Sequence, residues 1–506
     1  MRTAARTAFL LAILTLGSKF FGFIREMFMA NYYGTSYIVD AYVMATLIPS
    51  MIFTGILGSI ATSFIPIFSR KTEQEGELEA NIFTSQIINI LTIVAIISSI
   101  IGILLSDQLV WVFTRGGFTG ETAAIASYFV KVTFSFTLFT ATGGIFDAYL
   151  RYKNVFLSST VAGYSVSIFA IVFVILSYHT NPYYLVYGMF IGNAVRFVIL
   201  WLLAKRKGYR HRWDFHVSNT VKEIFSLAIP VFLGSTADQI NAYISQSLAA
   251  HLPEGSIAAI NYSNLLVGII TGVTTTVIAT VLYPKMAQAF AQNDMARFSS
   301  IYNTGVSIIL MIGIPFAIGI LLYGQDVIQI IYERGAFDPN ATSMTSTAFF
   351  YYGMGIIFMA LNPFLVQTFY SMHNTKTPRT YAMIGIAVNI ISNLILVNYL
   401  AHGGLALGGS IAAFVNTALL IYCIQKKTDI DLACGVSKKV VKIVISAVIA
   451  IGISYIFYYF IGGSIWMPRM VLMTLTVGIA AVLYLLLLKF FKIEELVHIK
   501  DIFRIS

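Results

Sequence analysis

Lys19, Arg25, Glu26 and Asp40 are the residues most able to do chemistry, because they lie where charge is costly. They fall within residues 7–40, TAFLLAILTLGSKFFGFIREMFMANYYGTSYIVD. The stretch is apolar and of membrane-spanning length, with Asp40 just beyond its turn. A charge at the centre of a bilayer helix costs about 2.5–3.5 kcal/mol on insertion scales. Such side chains therefore face a protein interior or a water-filled cavity. Lys19 and Glu26 are seven residues apart and share a helix face, and Arg25 lies about 100° round from Glu26. Arg25 is roughly 26 Å of helix rise beyond Ala8. Two cations here suit a polar, anionic species that must cross the membrane. The structural alternative is an Arg25–Asp40 or Lys19–Glu26 pair that only holds two helices together.

Further along, Lys131 and Arg196 are also cations within apolar runs. Each is near enough to one end to snorkel to the interface, and Arg196 is the stronger candidate for a cavity. In the second half, Asp238 is the acid well inside a span, flanked by Gln239 and Asn241. With the amides Asn389, Asn393 and Asn416 it offers oxygen ligands that suit a small hard cation such as Na⁺. The competing reading of those amides is interhelical hydrogen bonding. Cys423 and Cys434 have no C-x-x-C or His partner, which argues against a metal site or disulfide. No Walker loop, G-x-S-x-G or H-E-x-x-H occurs, nor a carboxylate pair in a large outer loop. A membrane glycosyltransferase or polymerase is accordingly disfavoured. A non-transporting scaffold for cell-wall enzymes would leave the buried cations without a purpose.

The elements that position these residues are membrane helices. The 506 residues are 58% hydrophobic and only 11% charged, against about a quarter charged in soluble chains. Fourteen spans are expected, near 8–33, 37–68, 83–106, 123–147, 155–178, 183–204, 223–250, 256–284, 299–323, 341–370, 379–400, 404–425, 440–461 and 467–489. Arg2, Arg6 and the first apolar run imitate a signal peptide. The run continues to Tyr33 without a small-x-small site, so an uncleaved span is expected. With the N-terminus inside, Lys and Arg crowd the inner loops, leaving Arg115, Arg334 and Arg469 outside. Both termini are thus placed in the cytoplasm. The same distribution accounts for the net charge of +10 through anionic lipid rather than nucleic acid.

The chain also repeats. LAILTLGS (Leu11–Ser18) returns as LAIPVFLGS (Leu227–Ser235), Pro66 as Pro284, Arg115-Gly-Gly-Phe as Arg334-Gly-Ala-Phe, and Arg196 is matched by Asn416. The offsets drift steadily from 217 to 220. Six spans per copy give both copies the same orientation, the arrangement of two lobes around a substrate path. The expected fold is an all-α polytopic membrane protein. It has an N-terminal six-helix lobe (1–215), a second lobe (216–437) and two extra helices (438–506).

Ser18–Glu26 (SKFFGFIRE), Val39–Tyr42 with Pro49, Phe64–Phe68, the two Arg-Gly loops, Asn374–Pro378 (NTKTP), His402–Leu407 and Ser410–Ala413 with Asn416 together resemble the MurJ/MviN lipid II flippases of the MOP exporter superfamily. The resemblance covers nearly the whole chain. It implies a flippase carrying an undecaprenyl-pyrophosphate-linked peptidoglycan precursor to the outer leaflet by alternating access. Implied with it are a bacterial inner-membrane location, a tail groove on the last two helices, and Na⁺ coupling in some members. Cell-wall synthesis enzymes are the implied protein partners. Carried over by residue, Lys19, Arg25, Glu26 and Asp40 fall on functional polar positions of the motif. With Arg196, read from its place in a span, they form the candidate substrate site, and Asp238, Asn389, Asn393 and Asn416 remain the candidate Na⁺ site. Two departures stand out. Family members commonly carry arginines after the Leu-Pro motif, where this chain reads Pro49-Ser50-Met51-Ile52-Phe53-Thr54, and another in a motif that here reads Tyr262-Ser263-Asn264. A flippase for another lipid-linked oligosaccharide, or a cation-coupled exporter, is the nearest alternative.

Overall fold

In lipid every backbone N–H and C=O must be satisfied within the protein, and a helix does this segment by segment. In the computed structural model, residues 2–277, 281–428, 432–462 and 468–493 are described, and no strand occurs among them. Some side chains, Asp238 and Cys434 among them, lie outside the description. The helices are α1 (Arg2–Tyr33), α2 (Tyr37–Glu75), α3 (Glu77–Leu104), α4 (Ser106–Thr114), α5 (Gly120–Ser135), α6 (Thr137–Tyr152), α7 (Phe156–Ala162), α8 (Tyr164–His179) and α9 (Tyr187–Arg206). They continue with α10 (Asn219–Ala249), α11 (Ser256–Val277), α12 (Tyr283–Ala291), α13 (Met295–Tyr332), α14 (Pro339–Ser371), α15 (Lys376–Thr428), α16 (Leu432–Gly462) and α17 (Arg469–Phe490). Among the described residues nine helical stretches are long and apolar enough to cross a membrane. One of these, α15, is two helices: Ala401 breaks it with φ 48° and ψ −129°. Close approaches of Gly404 to Leu396, Gly408 to Asn393 and Gly385 to Asn416 fold the halves into an antiparallel hairpin.

The backbone carries the duplication as well. Left-handed residues end helices at Gly76 and Asn293, Gly116 and Gly335, and Asn154 and His373, pairs separated by 217, 219 and 219 residues.

By contact the chain forms two compact units. Unit 1 is Met1–Ala258 with Arg334–Asp338, and unit 2 is Ala259–Glu333 with Pro339–Ser506. The helix that opens the second repeat, α10, thus belongs to unit 1, where it packs along α2. The core of unit 1 stacks Phe64 between Phe68 and Phe83, with Tyr149 edge-on to Phe68. That of unit 2 centres on Phe298, Tyr302 and Phe364, and includes Ile443, Ala447 and Leu488 of the last two helices.

Two proline positions show how side chains complete the backbone. Proline has no N–H, so the carbonyl four residues earlier is left without its helical donor. For Pro49 in α2 that carbonyl is Ala45, and the buried Thr133 hydroxyl of α5 donates to it at 3.0 Å. For Pro315 in α13 it is Met311, and the buried Tyr484 hydroxyl of α17 donates at 2.8 Å. α16 adds Tyr458, which donates to Asp326 at 3.1 Å.

Candidate functional site

Within unit 1 the helices α1, α2, α6, α7, α8 and α9 border a cavity of about 610 Å³. Two of the cations singled out in the sequence, Lys19 and Arg196, line it. The Arg196 Nε is buried and has no hydrogen-bond partner within the protein, which leaves it able to donate to a ligand oxygen. Arg151 and Asp147, a turn apart on α6, also line it and pair at 3.1 Å. Neither was a sequence candidate: Arg151 reads as a loop charge and Asp147 as a span end. The lining therefore carries three cations and one carboxylate.

The remaining polar lining consists of Ser and Thr hydroxyls and the Asn193 amide, which donates to the Met189 carbonyl at 2.8 Å. Thr46 and Ser50 donate to the Val43 and Leu47 carbonyls, Thr140 to Thr137 and Thr160 to Phe156. Hydroxyls that return their proton to their own helix are common and carry no functional signal in sequence. Around a cationic cavity they acquire one, since a single rotation redirects each donor to a ligand oxygen. Pro49, Ser50 and Phe53, from the stretch where the resemblance calls for arginine, line the same cavity.

The other charges of the first helix are placed differently. The Arg25 guanidinium donates to Glu26 Oε1 from both Nη2 (2.6 Å) and Nε (3.1 Å). Glu26 is almost fully buried. Neither residue lines the cavity, and the pair joins neighbours on one helix rather than Arg25 to Asp40 or Lys19 to Glu26. Asp40 is buried near the start of α2, where its two carboxylate oxygens accept from the backbone N–H groups of Gly255 (2.7 Å) and Ala258 (2.8 Å). It caps the first turn of α11, whose initial N–H groups have no helical acceptor. Nearby, Glu254 accepts the Tyr37 N–H at 2.8 Å, and the Gly335 segment meets Asn31 through an Ala336 N–H bond of 2.8 Å. Gly34, with φ 56°, permits this approach, because a Cβ there would lie 2.3 Å from the Ala336 carbonyl oxygen. Asp40 thus locks a turn instead of lining the cavity.

In unit 2, Asn389 and Asn393 are buried in the α15 hairpin, Asn393 donating to Asn389 at 2.8 Å. Asn416 lies against Gly385, one turn from Asn389, and its Oδ1 is buried without a hydrogen bond. These amides sit in the seam of a close helix pair. Asp238 belongs to α10 of unit 1, and its side chain lies outside the described residues. Among the described residues no three His, Cys, Asp or Glu side chains gather. The described donor set is therefore neutral amide oxygen alone.

One further element escaped the sequence reading. The segment after α9, which registers in sequence only as a basic topology signal, is strapped to α3. Asn89 donates to the Arg212 and Asp214 carbonyls at 3.0 and 2.9 Å, and Gln86 to the Asp214 carboxylate at 2.7 Å. The His216 N–H and the Gln86 amide hold the Asp214 carboxyl below the usual carboxylate range.

A family model described as "Lipid II flippase MurJ" matches residues 29–477. The chain is 26% identical over 468 residues to a probable lipid II flippase MurJ of Rickettsia prowazekii, covering 91% of each. It is 25% identical to that of Vibrio cholerae, over 84% of this chain and 85% of the relative. Among solved structures, a lipid II flippase MurJ in an inward closed conformation superposes with a TM-score of 0.82 at 23% identity, covering 96% and 98% of the two chains. An inward-facing multidrug-resistance MATE transporter of the MOP superfamily gives 0.64 at 15% identity, over 82% and 96%. The last two likenesses concern the fold.

Proposed function

Because the chain belongs to the MurJ family of lipid II flippases, we infer that it moves a polyprenyl-diphosphate-linked peptidoglycan precursor across the bacterial cytoplasmic membrane. The observation that carries this reading is the unit 1 cavity, a net-cationic, hydroxyl-lined space inside a bundle of apolar helices. A diphosphate is a compact anion whose oxygens take charge-assisted hydrogen bonds from guanidinium and ammonium groups. Lys19 and Arg196 supply the charge, the hydroxyls supply turnable donors, and the Asp147–Arg151 pair can open to lend a third cation. The prenyl chain stays in lipid while the head crosses, and no covalent step is required. An exporter of organic cations would call for an acidic lining, which is the reverse of this one.

Fourteen spans with both termini in the cytoplasm follow from the same reading. On this topology the Asp40 cap lies on the outer side, where it ties the start of α2 to the start of α11. Membrane lipids and the lipid-linked precursor are the partners this mechanism needs.

The test is rescue of a strain depleted of its own lipid II flippase. Wild type is expected to restore growth, and Lys19→Ala with Arg196→Ala to fail while reaching the membrane. A wild-type chain that inserts normally but gives no rescue would overturn the assignment.

A further inference from the structure

A second cavity, of about 670 Å³, is bordered in unit 2 by Lys376, Arg379, Thr380, Met383, Ile384 and Ala387. These positions recur every three or four residues and so share one face of the first half of α15. All six are exposed. Neither Lys376 nor Arg379 forms an ion pair or side-chain hydrogen bond among the described residues, in contrast to Arg70, Lys71, Arg151 and Lys153, which all pair. Asn374 accepts the Thr377 N–H at 3.1 Å to start the helix, and Pro378 sits in the first turn, where its missing N–H costs nothing. The cations therefore stand on a well-anchored helix end, where the helix dipole adds to their positive field.

The duplication gives this face its meaning. Helices α7 and α15 both begin just after a left-handed residue, Asn154 and His373. Their first residues, Phe156 and Lys376, are 220 apart, the same spacing as Arg196 and Asn416. At that spacing Arg379, Thr380, Met383 and Ala387 correspond to Ser159, Thr160, Gly163 and Ser167, and all four of those line the unit 1 cavity. The same helix face borders a cavity in each copy. In the first copy it is neutral and the cavity takes its cations from α1, α6 and α9; in the second it carries them itself.

We propose that this face of α15 is a second docking position for a prenyl diphosphate, with the diphosphate on Lys376, Arg379 and Thr380 and the prenyl chain along Met383, Ile384 and Ala387. The proposal rests on the reading that the chain carries a diphosphate-linked lipid. Two cations one turn apart match two adjacent phosphate groups. The apolar residues directly beyond them, continued by the exposed Ile391, Leu394 and Ile395, match a chain and would add nothing for a free anion. From Lys376 to Ala387 the helix rises roughly 16 Å, enough for several isoprene units.

Native mass spectrometry of the full chain in detergent, with farnesyl diphosphate as probe, tests this. Wild type is expected to bind two molecules. Lys376→Gln with Arg379→Gln is expected to bind one, and Lys19→Gln with Arg196→Gln to bind one at the other position. Ile384→Ser should weaken farnesyl diphosphate at the α15 position at least tenfold while leaving inorganic pyrophosphate unchanged. Two molecules retained by the Lys376/Arg379 variant would overturn the proposal. So would equal affinity for inorganic pyrophosphate and the prenyl ester, or displacement by equimolar phosphatidylglycerol. Loss of binding only in the Lys19/Arg196 variant would leave the function standing and remove the α15 position. Loss only in the Lys376/Arg379 variant would do the reverse. All four residues line open cavities, so Gln substitutions keep the fold, and a circular dichroism melt checks it.

Discussion

The two repeats use the same hairpin for opposite ends. In the first, α7–α9 brings Arg196 into the interior beside Lys19, and the opening face of α7 is neutral. In the second, the interior position matching Arg196 is Asn416, packed on Gly385, and the cations stand at the head of α15. A cation in the middle of a span must be compensated by a ligand or a partner, whereas one at a helix head stays in contact with water. On the proposed reading, one copy holds an anion at depth and the other meets it at the surface. Duplication supplied the scaffold, and the placement of charge divides the work.

The largest effect should come from Asp40, a charge of the first repeat that binds backbone rather than ligand. Leaving a buried donor unsatisfied costs about 1–3 kcal/mol, and Asp40→Ala does so to two, the Gly255 and Ala258 N–H groups. Complementation is expected to fail with normal membrane insertion, and Asp40→Asn, which can satisfy one N–H at most cleanly, should rescue partially. Full rescue by Asp40→Ala would mean that the cap has no part in function.

Next in size is the exchange of interiors. Arg196→Asn copies the second repeat into the first and should reduce transport at least tenfold, the weight of a single charge-assisted contact. Asn416→Ala should reduce it less than threefold. Equal losses at the two positions would dissolve the division between lobes.

Both units also place a hydroxyl on a carbonyl that a proline has freed, at positions that the duplication does not match. Tyr484→Phe orphans the Met311 carbonyl and Thr133→Val the Ala45 carbonyl. Each is expected to lower stability by about 1–3 kcal/mol, read as a fall in thermal midpoint in detergent. The Pro315→Ala background, where Met311 regains a helical donor, should blunt the Tyr484→Phe loss. An undiminished loss there would show that Tyr484 acts through packing instead.

How far the sequence discloses all this depends on the range of each interaction. Lys19 and Arg196 are legible because a charge in an apolar run is costly wherever it points. The repeat is legible because matching motifs survive at a constant spacing. The role of Asp40 is not, since its acceptor geometry is completed by N–H groups 215 and 218 residues away. The partner of Arg25 is the adjacent Glu26 because a flexible guanidinium can fold back along its own helix, a freedom that face-counting ignores. The bend at Phe136 between α5 and α6 has no proline to announce it. Nor could Ser and Thr be sorted into lining and packing residues, because both kinds satisfy themselves on their own helix. The grouping of α10 with unit 1 is a purely tertiary fact.

The smallest expected effect concerns the strap after α9, which has a titratable seam. Tyr209 and His211 Nδ1 lie 2.8 Å apart, and partial burial lowers the imidazole from its ordinary 6.5. A group whose folded value is lowered contributes stability above its unfolded value and loses it as pH falls. The seam should therefore weaken as pH drops below 6.5, with Asp214 following only in stronger acid, because its own value is lowered from 3.8. Trp213 lies edge-on to His211 at 4.8 Å and can report the change. In a variant whose other three tryptophans are Phe, Trp213 emission should shift with a midpoint below 6.5, and His211→Gln should abolish the shift. A midpoint at or above 6.5 would show that the imidazole is not held neutral by the strap, and the seam would then be a passive feature of the loop.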